Sequence, residues 1–128
     1  DNIIFDFGGV LFDIDYDAPV RAFAALGLND FNSLYTKAAQ NPLFDLLETG
    51  KISNEGFYDE IRTHFKTQLD SSTLEAAWNS ILTGIPKGRI DLIHQLKTKK
   101  RTFLLSNTNA IHVAEFERMI DREMGLAY

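Results

Sequence analysis

The stretch Ile3-Ile4-Phe5-Asp6-Phe7-Gly8-Gly9-Val10-Leu11-Phe12-Asp13 constrains the fold of this chain more than any other. An apolar run ends in a carboxylate, two glycines follow, and a second apolar run leads to Asp13-Ile14-Asp15. A short run of consecutive apolar residues suits a strand of a parallel sheet, where both faces are covered. Asp6 then falls at the carboxyl edge, the side on which open α/β sheets bind ligands. Gly8 and Gly9 remove Cβ atoms just beyond it, so backbone N–H groups can approach an anion closely. The pattern fits a nucleophilic or metal-binding carboxylate beside a phosphate. Taken alone it fits equally a strand followed by an ordinary Asp/Gly turn.

At 128 residues the chain has room for one ordinary domain, or for a small core carrying an insertion. A hydrophobic content of 45% is that of a folded globular protein. The net charge of -5 argues against a nucleic-acid or anionic-membrane partner. No apolar run approaches transmembrane length, and no basic segment precedes an apolar one at the start. The absence of Cys excludes a disulfide framework and thiolate chemistry, and it fits a cytoplasmic location. Only two strands are expected, at Ile3 to Phe5 and at Thr102 to Leu105. Two parallel strands leave their outer edges unpaired, so the expectation is a piece of a longer protein.

Between those strands the pattern is helical. Asp17 is the expected cap of a helix with Pro19 in its first turn, Val20, Phe23 and Ala24 on one face and Gly27 as its stop. A shorter helix is expected from Ser33 to Ala39, and Asn41-Pro42 opens another through Leu43, Phe44, Leu46 and Leu47 to Gly50. Ser53 caps a helix whose Phe57, Ile61 and Phe65 recur at spacing four. Ser72 with Glu75 reads as a capping box before Leu74, Ala77, Trp78, Ile81 and Leu82, with Gly84 and Pro86 as stops. Phe57, Phe65 and Trp78 are read as packing residues. A further helix from Lys87 to Lys99, expected to cover one face of the sheet, carries Ile90, Ile93 and Leu96 or Leu92, and its terminal cations complement the helix dipole and face solvent. From Asn109 a last helix carries Ile111, Phe116 and Ile120. His64, His94 and His112 lie on separate helices without metal-ligand spacing and are read as surface or packing residues.

The opening stretch resembles motif I of the haloacid dehalogenase-like (HAD) hydrolases, and Phe103-Leu104-Leu105-Ser106-Asn107-Thr108-Asn109 resembles their motif II. Two motifs in the right order around a helical insert are far more specific than either one. Within the insert, the segment from Glu48 to Phe57 (Glu-Thr-Gly-Lys-Ile-Ser-Asn-Glu-Gly-Phe) is similar to a segment common in the family's helical caps. The combination most resembles a bacterial group that includes α-D-glucose-1-phosphate phosphatases. The resemblance implies an α/β fold: a Rossmann-like parallel-sheet core, residues 1–16 and 84–128, interrupted by an all-helical cap, residues 17–83. It implies a Mg²⁺-dependent phosphatase acting on a small phosphorylated metabolite, a sugar phosphate among the candidates, through an aspartyl-phosphate.

By that resemblance Asp6 is the nucleophile and a metal ligand, and the Gly8 carbonyl is a second metal ligand. The Ser106 hydroxyl, the Asn107 N–H and the Gly9 N–H form the phosphate cradle. Most family phosphatases carry an acid–base Asp where this chain has Gly8, and glycine cannot move a proton. The related glucose-1-phosphate-like group shares that glycine and is hydrolytic. Asp13 or Asp15 acting through a water is a less favoured substitute than their reading as turn and cap residues. A Lys and further acidic residues belonging to the family's later motifs are expected beyond this chain, so the segment alone is expected to be inactive. Two other readings remain open: a non-catalytic domain binding phosphorylated ligands or partners, and a metal-independent dehalogenase using Asp6 on carbon.

Overall fold

The computed structural model describes residues 1–35 and 42–124. Its elements run β1 (Asn2–Phe5), β2 (Asp13–Ile14), α1 (Ala18–Ala25), α2 (Phe31–Tyr35), α3 (Pro42–Glu48), α4 (Asn54–Phe65), α5 (Ser71–Asn79), β3 (Leu82–Gly84), α6 (Lys87–Lys97), β4 (Arg101–Leu104) and α7 (Ala110–Met124). The expected α/β architecture is present. β1 and β4 pair in parallel, Ile3 against Thr102 and Phe5 against Leu104, and the Leu105 N–H continues the ladder to the Phe5 carbonyl at 2.9 Å. Ile4, Phe103, Leu104 and Leu105 remain exposed, an unusual state for apolar residues of a parallel sheet.

A second sheet was not expected. β2 and β3 pair antiparallel, Asp13 against Gly84 and Ile14 against Leu82, and the Thr83 hydroxyl donates to the Asp13 carbonyl at 2.8 Å. Leu82 and Thr83 are therefore strand and not the end of a helix. Strands of two and three residues are too short to show a period of two, and Ile81-Leu82 happens to extend the helical spacing of α5.

Local capping departs from expectation in two places. The Asp17 side chain caps nothing; instead its N–H donates to Asp15 Oδ1 at 2.9 Å. Ser72 and Glu75 do not form a box. Asp70 is the N-cap of α5, accepting the Thr73 N–H at 2.7 Å, while Glu75 accepts the Tyr58 hydroxyl at 2.9 Å. Aspartate and serine compete as caps within two residues here, and the carboxylate makes the stronger, charge-assisted bond. Ser53 caps α4 as expected, accepting the Gly56 N–H at 3.0 Å. The helix expected from Ser33 is α2 as far as Tyr35, its remainder and the Asn41 cap lying outside the described residues. The helix starting at Lys87 stops at Lys97.

Apolar side chains form two clusters. Phe23, Phe31, Leu34, Leu43, Leu47, Phe57, Tyr58, Ile61, Leu74 and Trp78 fill the space among α1 to α5, joined by Ile111 of α7. Phe7, Leu11, Phe12 and Ile120 form the other, against which Phe5, Leu82, Ile93 and Phe116 pack. The helical spacings of α4, α5 and α7 thus mark core faces, whereas α6 buries none of its residues fully and only its Ile93 packs against a cluster.

Candidate active site

The register of β1 on β4 determines what meets at their carboxyl ends. Asp6 follows Phe5 and Ser106 follows Leu105, so residues 100 apart in the chain leave adjacent strands, which lie about 4.8 Å apart in any sheet. Asp6, Gly8, Ser106 and Asn107 all line one cleft of about 1260 Å³. Its other wall comes from α1 to α3, the end of α5 and the first turns of α7, with Asp17, Asn32, Tyr35, Phe44, Asp45, Glu48, Trp78 and His112.

The loop carrying Asp6 is held from within. The Phe7 carbonyl accepts the N–H groups of Leu11 and Phe12, both at 2.9 Å, and the Gly9 N–H donates to the Phe12 carbonyl at 2.8 Å. The Phe7 ring packs on Phe12 and on Phe116 of α7, with centroids 5.1 and 4.6 Å away. Gly9 has φ +76°, a conformation that side chains resist, which explains a glycine there. Its N–H is spent on closing the loop and Gly9 does not line the cleft, so the expected donation from Gly9 to a phosphate is not offered in this structure. Gly8 differs. Its φ is not positive, and an added Cβ would meet only the Ile14 Cδ1 atom at an ordinary 3.5 Å. Neither backbone conformation nor local crowding excludes a Cβ at this position.

The Asp6 carboxylate accepts the Phe7 N–H through Oδ1 at 2.7 Å, which fixes its orientation. Asp13 pairs with Arg89 at 2.5 Å and Asp15 with Arg21 at 2.5 Å. The Arg21 hydrogen bond, then the Asp17 N–H, hold the Asp15 carboxyl below its ordinary range. Neither aspartate lines the cleft; Asp13 ties β2 to α6 and Asp15 ties the end of β2 to α1. On the other side, Asn109 begins α7 as expected, its Oδ1 accepting the His112 N–H at 3.0 Å.

His112 is buried and packed, as its sequence position suggested, but it also faces the cleft. Its Nδ1 lies 2.8 Å from Asn79 Oδ1, and its ring stacks on Trp78 with centroids 4.8 Å apart. Burial pulls its pKa down to about 4, so the imidazole is neutral at physiological pH. Burial likewise raises the Tyr35 phenol, helped by Tyr16 and Glu48. The helical period placed His112 on α7; nothing local could show that α5 brings Trp78 and Asn79 to the same spot.

A metal would find two hard oxygen donors here, the Asp6 carboxylate and the Gly8 carbonyl, the type that Mg²⁺ accepts alongside water. Among the described residues no group of three or more His, Cys, Asp or Glu side chains could hold an ion. No helix of the described residues is long and apolar enough to cross a membrane.

Comparison with known proteins bears on the family and the fold. No family model matches the chain. A D-ribitol-5-phosphate phosphatase of Bacteroides thetaiotaomicron is 37% identical over 108 residues, covering 84% of this chain and 52% of that protein. The crystal structure of a HAD-family enzyme from the same organism, in complex with magnesium and inorganic phosphate, has a TM-score of 0.81 and 30% identity, covering 96% of this chain and 59% of that one. A protein of Porphyromonas gingivalis described as a predicted HAD-like family hydrolase has a TM-score of 0.74 and 34% identity, covering 86% of this chain and 52% of that one. The chain therefore spans about half the length of that phosphatase.

Proposed function

We propose that this chain, which belongs to the haloacid dehalogenase-like family, is the nucleophile-bearing part of a phosphatase that hydrolyses a small phosphate monoester. The observation that carries the reading is the meeting of Asp6 with Ser106 and Asn107 at the carboxyl ends of paired parallel strands, in a cleft large enough for a metabolite. Residues 1–16 and 84–128 act as the core and residues 17–83 as the cap. The two apolar clusters and the β2–β3 pair at the junction support that division. The exposed apolar residues of β1 and β4 are a surface of the kind that further sheet and helices cover. The location is cytoplasmic, and no nucleic acid or membrane takes part.

Asp6 Oδ2, free of the Phe7 N–H, attacks phosphorus. The ester P–O bond breaks, the leaving oxygen takes a proton from water, and the aspartyl-phosphate is then hydrolysed. The Ser106 hydroxyl and the Asn107 N–H donate to phosphoryl oxygens, which gain charge in both steps. Asp6 and the Gly8 carbonyl would hold Mg²⁺, whose charge offsets the repulsion between a carboxylate and a phosphate dianion. The relative's substrate, ribitol 5-phosphate, is the first ester to test. Release of phosphate from it by the whole protein should require Mg²⁺, stop with EDTA, and fall to background in Asp6→Asn. Acid-quenched wild type should carry one phosphoryl group on Asp6. Turnover surviving in the Asp6→Asn variant would sink the assignment.

A further inference from the structure

Three amide or imidazole side chains are buried among the described residues, Asn79, His112 and Asn109, and hydrogen bonds join them in that order. Asn79, the last residue of α5, accepts the His112 Nδ1–H through Oδ1 at 2.8 Å, and the Trp78 ring stacks on the imidazole. The His112 N–H in turn donates to Asn109 Oδ1 at 3.0 Å, while the Val113 N–H donates to the Asn109 carbonyl at 3.0 Å. Between Asn109 and His112, Ile111 is buried among side chains of α1 to α5. The first turn of α7 is thereby fixed to the end of α5. A buried polar chain of this kind specifies one geometry, because any member left unpaired is costly.

Asn109 is also the last residue of the strand-to-helix turn that carries the cradle. At the other end of that turn the Leu105 N–H is held by the Phe5 carbonyl at 2.9 Å. Between these anchors Ser106, Asn107 and Thr108 make no hydrogen bond with any described residue. Donors without internal partners keep their aim only if both ends of their turn stay still. We infer that Asn79 and His112 are positioning residues for the cradle: bonded through Asn109, they hold the Ser106 hydroxyl and the Asn107 N–H in the orientation that receives a phosphoryl group. Asn79 lies in the helical insert, so a residue of the proposed cap sets the geometry of the proposed phosphate site. The inference rests on the phosphatase reading for what the cradle binds. It asks no proton transfer of His112, whose buried ring stays neutral with its proton on Nδ1.

Three variants of the whole protein separate positioning from stability. Asn79→Ala removes the acceptor for His112, Asn79→Asp keeps one, and Asp70→Ala weakens the opposite end of the same helix. Titration of inorganic phosphate with Mg²⁺, followed on native amide signals, reads folded molecules alone. The dissociation constant should rise about tenfold in Asn79→Ala, return close to the wild-type value in Asn79→Asp and stay unchanged in Asp70→Ala. Without ligand, the backbone order parameters of Ser106 and Asn107 should fall in Asn79→Ala and in neither of the others. Asn109→Ala against Asn109→Asp reads the same link from the cradle side, and takes over if Asn79→Ala does not fold. A wild type that binds no phosphate would defeat the phosphatase reading, and the order parameters would still decide this one. Order parameters unchanged in Asn79→Ala, a phosphate affinity unchanged there, or losses matched by Asp70→Ala overturn it.

Discussion

Acidification should destabilise this protein through His112. The imidazole is enclosed by Trp78, Asn79 and the first turn of α7, and burial lowers its pKa from 6.5 to about 4. The unfolded chain takes up the proton near pH 6.5, whereas the folded chain does so only near pH 4. Between those values the unfolded state holds more protons, so stability rises with pH across the window. The contribution is complete above pH 6.5 and is lost as the pH falls toward 4. At about 1.4 kcal/mol per unit the loss amounts to about 3 kcal/mol, a large share of a typical domain stability of roughly 5–15 kcal/mol. The Nδ1–H bond to Asn79 survives protonation at Nε2, so the loss is one of desolvation. Urea unfolding of wild type and His112→Gln at intervals from pH 7 to pH 4 isolates the effect from carboxylate titrations common to both. The wild type should lose about 3 kcal/mol more than the variant over that range. Curves that stay parallel, or an NMR titration midpoint for His112 near its ordinary value, would refute the reasoning.

Neighbouring glycines should respond oppositely to the same change. Gly9→Ala forces a side chain into positive φ and should cost about 1–2 kcal/mol in urea unfolding, whereas Gly8→Ala, with an ordinary van der Waals contact to Ile14 and no positive φ, should be neutral or stabilising by under about 1 kcal/mol. Asp70→Ala should cost about 1 kcal/mol through loss of the α5 cap, and Ser72→Ala distinctly less, reversing the order that the sequence pattern suggests. Thermal or denaturant melts of the two variants decide it.

How much was legible in the sequence varies with the range of the interaction involved. That Asp6, Gly8 and Ser106 fall at strand ends and in the loop beyond them was legible because strand ends and loop glycines are local signals, and the apolar spacings from Phe57 to Phe65 and from Ile111 to Ile120 identified buried faces for the same reason. Gly9 shows where such reading stops. Its residue type reveals a need for unusual backbone, but only the folded loop shows that its N–H is consumed by the Phe12 carbonyl. The β2–β3 pair escaped because its strands are shorter than the period that identifies a strand.

The sequence by itself determined the two strands, the helices between them and the carboxylate that ends the first strand, because each depends on neighbours a few residues away. Only the tertiary structure decided that Asp13 and Asp15 belong to arginines and that Trp78, Asn79 and His112 assemble beside the cradle. Asp13 with Arg89 and His112 with Asn79 and Trp78 join residues far apart in the chain, and their partners are chosen by how helices pack, which no local spacing records.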